Sequence, residues 1–417
     1  MRSSLLITSL MLTSLSYADP QEQRHKGYSG FSEITLETAN THNQENDVTL
    51  EQWNEIIYRD LNTQKEIGTQ FSFKLGKQNH FDTEIYQLYL KQPFDSKTLT
   101  VGRFEQIDAR GFYTLNGFSL KPSNNQDWWF FMGKPKRIDA YEGVDGGWLL
   151  GAERHFTYKT SKTQKQQFRI GFQQQWNHGN SGSYLNLSTT RQFTESQIKL
   201  TRMNISGGVR LDETALENFI AKAEFDLKEQ GYLYLSYDHY RPPEKSISFH
   251  NRFYQSYALK QQSVLRGDWH KKLNPQTTIN LQARQVWHEV GNNGQGLALG
   301  LRFQPHKKDW QAELRGDIVR LKDNQSITIY SHFKQPLTSV LSLELEGMIQ
   351  QKETLLTDKD NSQGIAFKLK HMLGKNLNIE ASGEYINHSD AENEYKFSIG
   401  LRRDFHTLPF AKKWGGW

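Results

Sequence analysis

The sequence predicts an all-β fold: a transmembrane antiparallel up-and-down β-barrel with an even number of strands, between about 16 and 22 and with about 18 to 22 as the best estimate. Segments in which apolar and polar residues alternate recur along the chain, as in strands whose two faces meet different environments. The mean hydropathy is −0.76, and no apolar run is long enough for a membrane-spanning helix. The first residues have the parts of an export signal.

The N-terminal stretch MRSSLLITSLMLTSLSYADP is typical of a secretory signal peptide. Arg2 supplies the positive n-region, a short apolar stretch follows, and Ser16 and Ala18 stand at the small-residue positions of a cleavage site. We assign 1–18 to the signal peptide, 19–405 to an outer-membrane barrel and 406–417 to a C-terminal periplasmic tail. The alternative for the first segment is a buried N-terminal helix.

Composition excludes several classes of function. The 417 residues include no cysteine, which removes disulfides, thiolate metal sites, thiol nucleophiles and thioether-linked haem. The formal net charge of +5 is close to neutral for this length, whereas nucleic-acid-binding proteins have abundant, clustered basic residues. We therefore expect no nucleic-acid partner. A soluble periplasmic β protein and an outer-membrane β-barrel both remain.

The alternating segments extend from one end of the chain to the other. In QFRIGFQQQW (167–176), Phe168 and Ile170 alternate with Arg169 and Gly171. The same pattern occurs in NFIAKAEFDL (218–227), TINLQARQVW (278–287), WQAELRGDIV (310–319), LSLELEGMI (341–349) and YKFSIGLRRDF (395–405). In a membrane barrel the apolar phase faces lipid and the polar phase faces the lumen, so the strands are hydrophilic on average.

Prolines and connections support this division into strands. All ten prolines are predicted to lie between the alternating segments, because proline cannot donate to a β-ladder. Towards the C-terminus longer and shorter connections alternate, with KDNQ (322–325) as an exception, as expected for extracellular loops and periplasmic turns. Residues 49–61 have apolar residues at helical spacing, and we favour an irregular strand over a short helix there.

Aromatic residues near the predicted strand ends favour a membrane barrel over a soluble β-sandwich. Trp148, Trp176, Trp287, Tyr385 and Tyr395 are examples, and such residues form the girdles at the two membrane interfaces. A soluble sandwich domain spans roughly a hundred residues, whereas the alternation here continues without a linker. We therefore expect a bacterial outer-membrane location, with membrane lipid, lipopolysaccharide and the barrel assembly machinery as partners. The sequence leaves the oligomeric state open.

The polar phase supplies the candidate functional residues, and it contains both charge signs. The predicted pore-lining residues are Arg103, Arg110, Arg169, Lys222, Glu224, Arg284, Glu313, Arg315, Asp317, Glu344, Glu346, Lys368, Glu380 and Arg402. A strongly anion-selective pore would be lined mainly by arginine and lysine, so this set predicts a mixed lining with charges paired across strands. The alternative is that these charges only bridge strands and fill the lumen.

Arg103 is irregular because its phase follows that of Val101, which would direct it towards lipid. A bulge at Gly102 would turn it inward; otherwise it lies at the level of the lipid headgroups. We interpret EQIDARG (105–111) as an external loop. Arg103 and Arg110 are then expected near the pore mouth.

Two segments resemble parts of known outer-membrane proteins. YKFSIGLRRDF (395–405) is similar to their C-terminal assembly signal through Ser398, Gly400 and Phe405, although Arg403 stands at a usually hydrophobic position and residues 406–417 follow. LTVGRFEQIDARGFYTLNGFSL (99–120) resembles the GRQ…DG region of porin-like proteins of the alginate-export group. The second resemblance is carried by Gly102, Arg103, Asn116 and Gly117. It implies a porin-like barrel and no particular substrate.

The sequence has no catalytic, cofactor-binding or metal-binding motif that we recognise, and we predict that the protein is not an enzyme. A serine hydrolase would need a serine, a histidine and an acid or amide at the barrel rim. SYDHY (236–240) and SISFHNRF (246–253) contain such residues without a nucleophile elbow. His239 and His250 are therefore interpreted as loop or interface residues.

The predicted function is that of a porin-like outer-membrane channel for diffusion of small polar or charged solutes, with saccharides as one class. Residues 241–257, which are rich in aromatic and basic side chains, are the predicted constriction. A structural or assembly barrel with a blocked lumen is the main alternative. An outer-membrane hydrolase is a further alternative.

Overall fold

A single antiparallel sheet of 22 strands makes up the described part of the molecule. The computed structural model describes residues 26–41, 44–76, 81–108, 111–123, 127–136, 147–159, 165–177, 180–193, 199–241, 261–288, 293–305, 309–322, 324–354, 360–388 and 393–407. Each strand pairs with its neighbours in sequence, and the last strand pairs with the first. The sheet is therefore closed, which confirms the prediction of an up-and-down barrel with an even strand number.

The strands match or exceed the length of a membrane-spanning segment, about 9–11 residues. Their bounds are β1 Lys26–Thr41, β2 Gln44–Asp60, β3 Lys65–Leu75, β4 Phe81–Phe94, β5 Lys97–Asp108, β6 Gly111–Pro122, β7 Trp128–Lys136, β8 Trp148–Lys159, β9 Lys165–Asn177, β10 Asn180–Gln192, β11 Leu200–Arg210, β12 Ala215–Asp226, β13 Tyr232–Tyr240, β14 Gln262–Asn274, β15 Thr277–His288, β16 Gly294–Phe303, β17 Gln311–Leu321, β18 Asn324–Pro336, β19 Leu341–Thr354, β20 Asp360–Gly374, β21 Leu377–His388 and β22 Glu394–His406. A short 3-10 helix, Lys228–Gln230, lies between β12 and β13. In these ranges no helix combines the length and the apolar character needed to cross a membrane.

The seam between β1 and β22 closes the barrel. Opposite residues along it include Glu33 with Arg402 and Leu36 with Ile399. The pairing continues past the strand end, because the Thr407 backbone N–H donates to the Tyr28 carbonyl at 2.9 Å. β22 thus ends one residue beyond Phe405, and residues 408–417, like the predicted signal peptide, lie outside the described residues.

Two local expectations are resolved by the strand bounds. The segment 49–61, which has mixed helical and strand spacing, forms strand β2 almost to its end. EQIDARG was predicted as an external loop, and this prediction is wrong for residues 105–108, which belong to strand β5. The polar character of the segment misled the prediction, because these residues still alternate between two faces.

The expectation that every proline lies between strands is wrong for four of them: Pro93, Pro122, Pro135 and Pro336 are inside strands or at their ends. Each lies where the ladder on one flank has already stopped. The β7–β8 ladder, for example, ends at Gly133. Pro135 therefore pairs only with β6, on the other side. The missing N–H then costs no ladder hydrogen bond, which is why proline is tolerated there.

The two faces of the sheet differ as the alternation predicts. One face carries large exposed apolar side chains, and these include all five of the aromatic residues named above, such as Trp148 and Trp176. The other face carries ion pairs, some of which join strands that are not neighbours, as in Arg284 on β15 with Asp317 on β17. Side chains of non-neighbouring strands converge on the concave side of a curved sheet, so the charged face is the barrel interior.

Candidate functional site in the barrel interior

Charged side chains of the interior face form networks around the barrel. Arg169 pairs with buried Glu153 at 2.6 Å, Lys368 with Glu380 at 3.2 Å and Arg402 with Glu33 at 3.5 Å. Arg202, Asn204, Lys222, Glu224 and Tyr234 line a polar pocket on β11–β13. Of the predicted pore-lining residues that the structure describes, all but Arg103 lie on the interior face, and Arg110 falls outside the described residues.

Three arginines of this face lie close together on β14, β15 and β17. Asp268 accepts from Arg266 and from Gln282, at 2.7 and 2.5 Å. Arg315 donates to Gln282 at 3.2 Å, and Arg284 and Arg315 lie 3.3 and 3.5 Å from Asp317. Three guanidinium groups thus share two carboxylates, which leaves this patch, the arginine network, with a net positive charge.

The arginine network spans β16 because that strand has small residues on its interior face. Gly294, Gly296, Ala298 and Gly300 alternate there with outward leucines. The Arg284 side chain lies directly over Gly296, where a Cβ atom would be 2.5 Å from its Nε. Because β16 has no large side chain on its interior face, ion pairs can form across it between β15 and β17.

On the opposite side of the barrel, part of the wall bends inward. The β4–β5 ladder ends where Leu88 pairs with Arg103, and the β7–β8 ladder ends where Gly133 pairs with Leu149. The β5–β6 ladder nevertheless continues to Asp108 and Gly111, and the β6–β7 ladder continues to Lys136. Residues 104–108, 111–115 and 135–136 therefore form a small sheet that pairs with neither flanking strand, and we call it the flap.

A contact at the flap tip establishes the direction of the bend. The side-chain amide of Gln173 on β9 donates to Asp108 on β5 at 2.5 Å, and the Tyr113 hydroxyl also donates to Asp108. Four strand spacings separate β5 from β9, which is about 19 Å along the wall and more than an aspartate and a glutamine side chain span together. The flap tip therefore lies inside the barrel, against β9.

The flap covers an apolar cluster on the interior wall. Phe104, Tyr113 and Leu115 of the flap pack with Trp129, Phe131 and Leu149 of β7 and β8, and all six are at most 8% exposed. A barrel interior is normally polar and solvated, so this cluster is the flap's own small hydrophobic core. Its burial holds the flap against β7–β9.

A row of glycines marks the bend. Gly102 pairs with Gly117, and Gly117 pairs with Gly133. Gly102 has φ of +118°, a conformation that favours glycine. The backbones of β6 and β7 approach closely, since a Cβ at Gly117 would lie 1.9 Å from the Met132 carbonyl oxygen. Glycine kinks in register are a known way to bend a sheet, so the sequence itself specifies the fold line.

Arg103 lies at the base of the flap and is not turned to the interior face by Gly102. Its register places it opposite Leu88 and Asn116, on the apolar face. The guanidinium donates to the Asn116 side chain at 2.6 Å and to the Ile85 carbonyl. That carbonyl lies on the stretch of β4 that has lost its β5 partner, so Arg103 satisfies an acceptor that the bend exposes.

The four residues that carry the resemblance at 99–120 are therefore neighbours in space. Gly102 pairs with Gly117, and next to this pair Arg103 pairs with Asn116. The flap itself was missed in the sequence, because alternation continues through it unchanged. The recurrence of glycine at 102, 117 and 133 is the signal that locates it. Only Arg241 of the predicted constriction at 241–257 is among the described residues; 242–257 lie outside them.

The flap packs against β7–β9 on one of its faces, and its other face points towards β2–β4. Glu105, on the flap face that points away from β7–β9, accepts from Gln87 of β4 at 2.7 Å. Lys136, the flap residue at the end of β7, pairs with Glu84 of β4 at 2.6 Å, which is a second contact between the flap and β4. On the same flap face Ile107 and Phe112 are 58% and 50% exposed. Among the described residues, space therefore remains between this part of the flap and the wall formed by β2–β4.

Two further groups bear on metal and enzyme chemistry. His332, Glu344 and Glu346 bring ligand atoms within 4.8 Å of one another, but Glu344 is already engaged by His332 at 2.7 Å and faces Lys334 at 3.7 Å. His239 contacts the Ser263 hydroxyl at 2.8 Å. Within the described ranges, no carboxylate bonds the second ring nitrogen of His239, and His250 lies outside them.

Comparisons with known proteins give a likeness to barrels and no family. No family model and no curated protein matches the chain. The solved structures it resembles include OccD3 (OpdP) of Pseudomonas aeruginosa (8% identity, 95% of this chain and 96% of that chain, TM-score 0.46). OccK2 (OpdF) of the same organism in complex with glucuronate is similar at 8% identity (92% and 98%, TM-score 0.46).

The P pilus usher (PapC) translocation pore is also among the similar structures, at 10% identity (91% and 99%, TM-score 0.43). At these identities neither a function nor a substrate transfers to this chain. None of the comparisons supports the finer resemblance of residues 99–120 to the alginate-export group. The class that the fold and its two faces define is a large closed β-barrel with a charged interior.

Proposed function

We propose that the protein is an outer-membrane channel of porin type through which small polar or charged solutes diffuse, and that it is not an enzyme. The observation that carries this proposal is the closed barrel with an apolar exterior and an ionised interior. Barrels of 16–18 strands already leave an aqueous channel, so a ring of 22 strands encloses a wider one unless something fills it. The flap narrows this space from one side.

The exterior supports insertion in an outer membrane. Its leucines, isoleucines and aromatics would be costly in water as a continuous belt, whereas lipid removes that cost. We place the chain termini on the periplasmic side, because the two longest connections between described strands, 137–147 and 241–261, lie at the other end. Lipid, lipopolysaccharide and the barrel assembly machinery are the proposed partners, and a small polar solute is the proposed cargo.

An open lumen fits the structure better than a blocked one. On the flap face turned towards β4, Ile107 and Phe112 are half exposed, as expected if a water-filled passage borders them. Interior ions such as Arg315 and Lys368 are also partly solvent-exposed. In a filled lumen these groups would be buried and fully paired.

The test is reconstitution of the folded protein in planar bilayers and liposomes. We expect single-channel steps and swelling in isosmotic arabinose or glycine, with heat-modifiable gel migration as the check of folding. Heat-denatured protein is the control. Folded protein that gives neither steps nor swelling would overturn the channel proposal, and ester hydrolysis by the same preparation would instead favour an outer-membrane hydrolase.

A further inference from the structure

The space between the flap and β2–β4 has a chemical character of its own. We propose that it is a binding site for organic cations that carry an aromatic or other apolar part, and that such cations are a preferred cargo. This inference rests on the proposed channel function and names a substrate class for it. The site comprises an aromatic pair on the wall, two glutamates that face each other across the space, and the exposed apolar residues of the flap.

The aromatic pair is formed by Trp53 of β2 and Tyr86 of β4. Their rings stack with centroids 4.5 Å apart and an interplanar angle of 19°. They meet across β3 because Ser72, which pairs with both Trp53 and Glu84, is small and only 3% exposed. Tyr86 is the extra residue of a bulge, since Gln70 pairs with Gln87 and Phe71 with Ile85. The bulge is what brings the tyrosine ring over Ser72.

Both rings belong to the interior face. Trp53 is opposite Glu33, whose carboxylate pairs with Arg402 in the interior. The exterior positions of the same strands are occupied by other residues, such as Ile85 and Leu88 on β4, which are exposed on the apolar face. Both rings are only partly buried on the solvated face. They are available to a solute.

Negative charge faces this pair from two sides. Glu55 of β2 lies two residues from Trp53 on the same face, and Glu105 on the flap has both Glu55 and Lys91 as electrostatic neighbours. Glu66 and Glu84 nearby are neutralised by ion pairs, with Arg59 and Lys91 for the first and Lys136 for the second. Glu55 and Glu105 have no ion pair among the described residues. Two like charges that confront each other favour a cation between them.

The flap contributes the apolar side of the site. Ile107 and Phe112 pair with each other across β5 and β6 and are exposed on the face that carries Glu105. A hydrated inorganic ion would gain nothing from them. An organic cation can place its apolar part against these residues and its charge between the carboxylates and the aromatic faces, where cation–π attraction is favourable.

The location also favours cations over anions. The glutamates lie on β2 and β5, whereas the arginine network lies on β14–β17, and β6 and β17 are half a ring apart. Opposite walls of the interior therefore attract opposite charges. A cation is drawn to the flap side and an anion to the far side, which separates this site from the rest of the lumen.

Phenyltrimethylammonium is the probe, with benzoate as the anion of similar size and benzyl alcohol as the neutral one. Binding to the folded protein in detergent is measured by isothermal titration calorimetry, and block of the single-channel current is measured in bilayers. We expect phenyltrimethylammonium to bind and to block, and the other two to do so at least tenfold more weakly. Trp53→Leu should weaken binding about threefold to tenfold, the size of one cation–π contact.

The double variant Glu55→Gln and Glu105→Gln should abolish the preference for the cation over benzyl alcohol. Glu313→Gln, an interior glutamate on the far wall, is the matched control and should leave the cation affinity unchanged. Equal binding of cation and anion by wild type, or an effect of the control as large as that of the double variant, would overturn the site. Calorimetry does not depend on conduction. A folded protein that binds the cation but does not conduct would therefore refute the proposed channel function and leave the binding site standing.

Discussion

At the scale of single residues, Gly102 and Arg103 show how one bend is made and then satisfied. Gly102 adopts a backbone conformation that other residues avoid, with φ of +118°. The neighbouring Arg103 supplies donors to the Ile85 carbonyl, which the bend separates from its strand partner. The bend at Gly102 leaves the Ile85 carbonyl without a strand partner, and the next residue, Arg103, donates a hydrogen bond to it.

Gly102→Ala should destabilise the folded protein by about 1–3 kcal/mol, because an L-residue is strained at this φ. In addition, the new Cβ would lie 2.2 Å from the Leu88 carbonyl oxygen. Equilibrium urea unfolding in lipid vesicles measures the loss. Gly316→Ala is the control, since a Cβ there meets no atom within 4 Å, and it should be nearly neutral. Equal stability of the two variants would contradict the strain at Gly102.

At the scale of elements, the flap consists of strand ends that leave the wall and occupy part of the barrel interior. It keeps its own ladders and buries its own apolar cluster, so it is more rigid than an irregular loop of the same length. Its position against β7–β9 also leaves the other side of the lumen free. Among the described elements, the flap is therefore the one that narrows the interior.

Replacing residues 105–114 with a Gly-Ser pair should increase the single-channel conductance and admit larger sugars in liposome swelling, because the inward part of the flap is removed. The control shortens the β21–β22 connection at residues 389–392 and should leave both readouts unchanged. A conductance equal to wild type after excision of the flap would show that the narrowest point lies elsewhere.

The last strand is the second element with a testable role. β22 pairs with β1 from Tyr395 to His406, and Thr407 extends the contact to Tyr28. Removing residues 408–417 should therefore leave barrel closure and heat-modifiable migration intact. Removing residues 393–417, which include β22, is the comparison and should abolish the heat-modifiable species. Loss of folding in the shorter truncation would assign an assembly role to the tail.

At the scale of the whole molecule, the interior charge is close to balanced but not evenly spread. The arginine network occupies β14–β17, whereas Glu55 and Glu105 lie on β2 and β5. The permeability ratio of potassium to chloride then depends on both walls. A variant that neutralises one wall should shift this ratio in a known direction.

Replacing Arg266, Arg284 and Arg315 by glutamine removes three positive charges from the interior, so the permeability ratio of potassium to chloride should rise. Reversal potentials in a potassium chloride gradient measure it. Arg320→Gln is the control, because Arg320 lies on β17 on the opposite face from Arg315. An unchanged ratio in the triple variant would show that ions do not pass near the arginine network.

The fold was predictable because period-two alternation is local and each strand carries it. Segments such as 310–319 show both faces within ten residues, so the two-faced wall follows without long-range information, whereas the strand number was predicted only as a range. The flap was not predictable in this way. Phe104 and Val101 alternate with their neighbours as wall residues do, and only the pairing of Gly102 with Gly117 and Gly133 reveals the bend.

The interior networks were predictable only in part. Opposite charges two residues apart on one strand, such as Arg266 and Asp268, are visible in the sequence. The contact between Gln173 and Asp108 depends on how far the flap moves, and the stacking of Trp53 with Tyr86 depends on a bulge. These features come from the registers of several strands together, which one sequence does not determine.

The contact between Lys136 and Glu84 has a consequence for the shape of the ring. Where β5 and β6 leave the wall, this ion pair joins the flap to β4 in place of the β4–β5 ladder. The molecule is therefore a ring of 22 strands at the end where β1 begins and β22 ends, and at the other end the wall is interrupted between β4 and β8. Because the two ends of the barrel differ, ions that enter from one end meet a different path from ions that enter from the other. The ionic current through the proposed channel should therefore rectify.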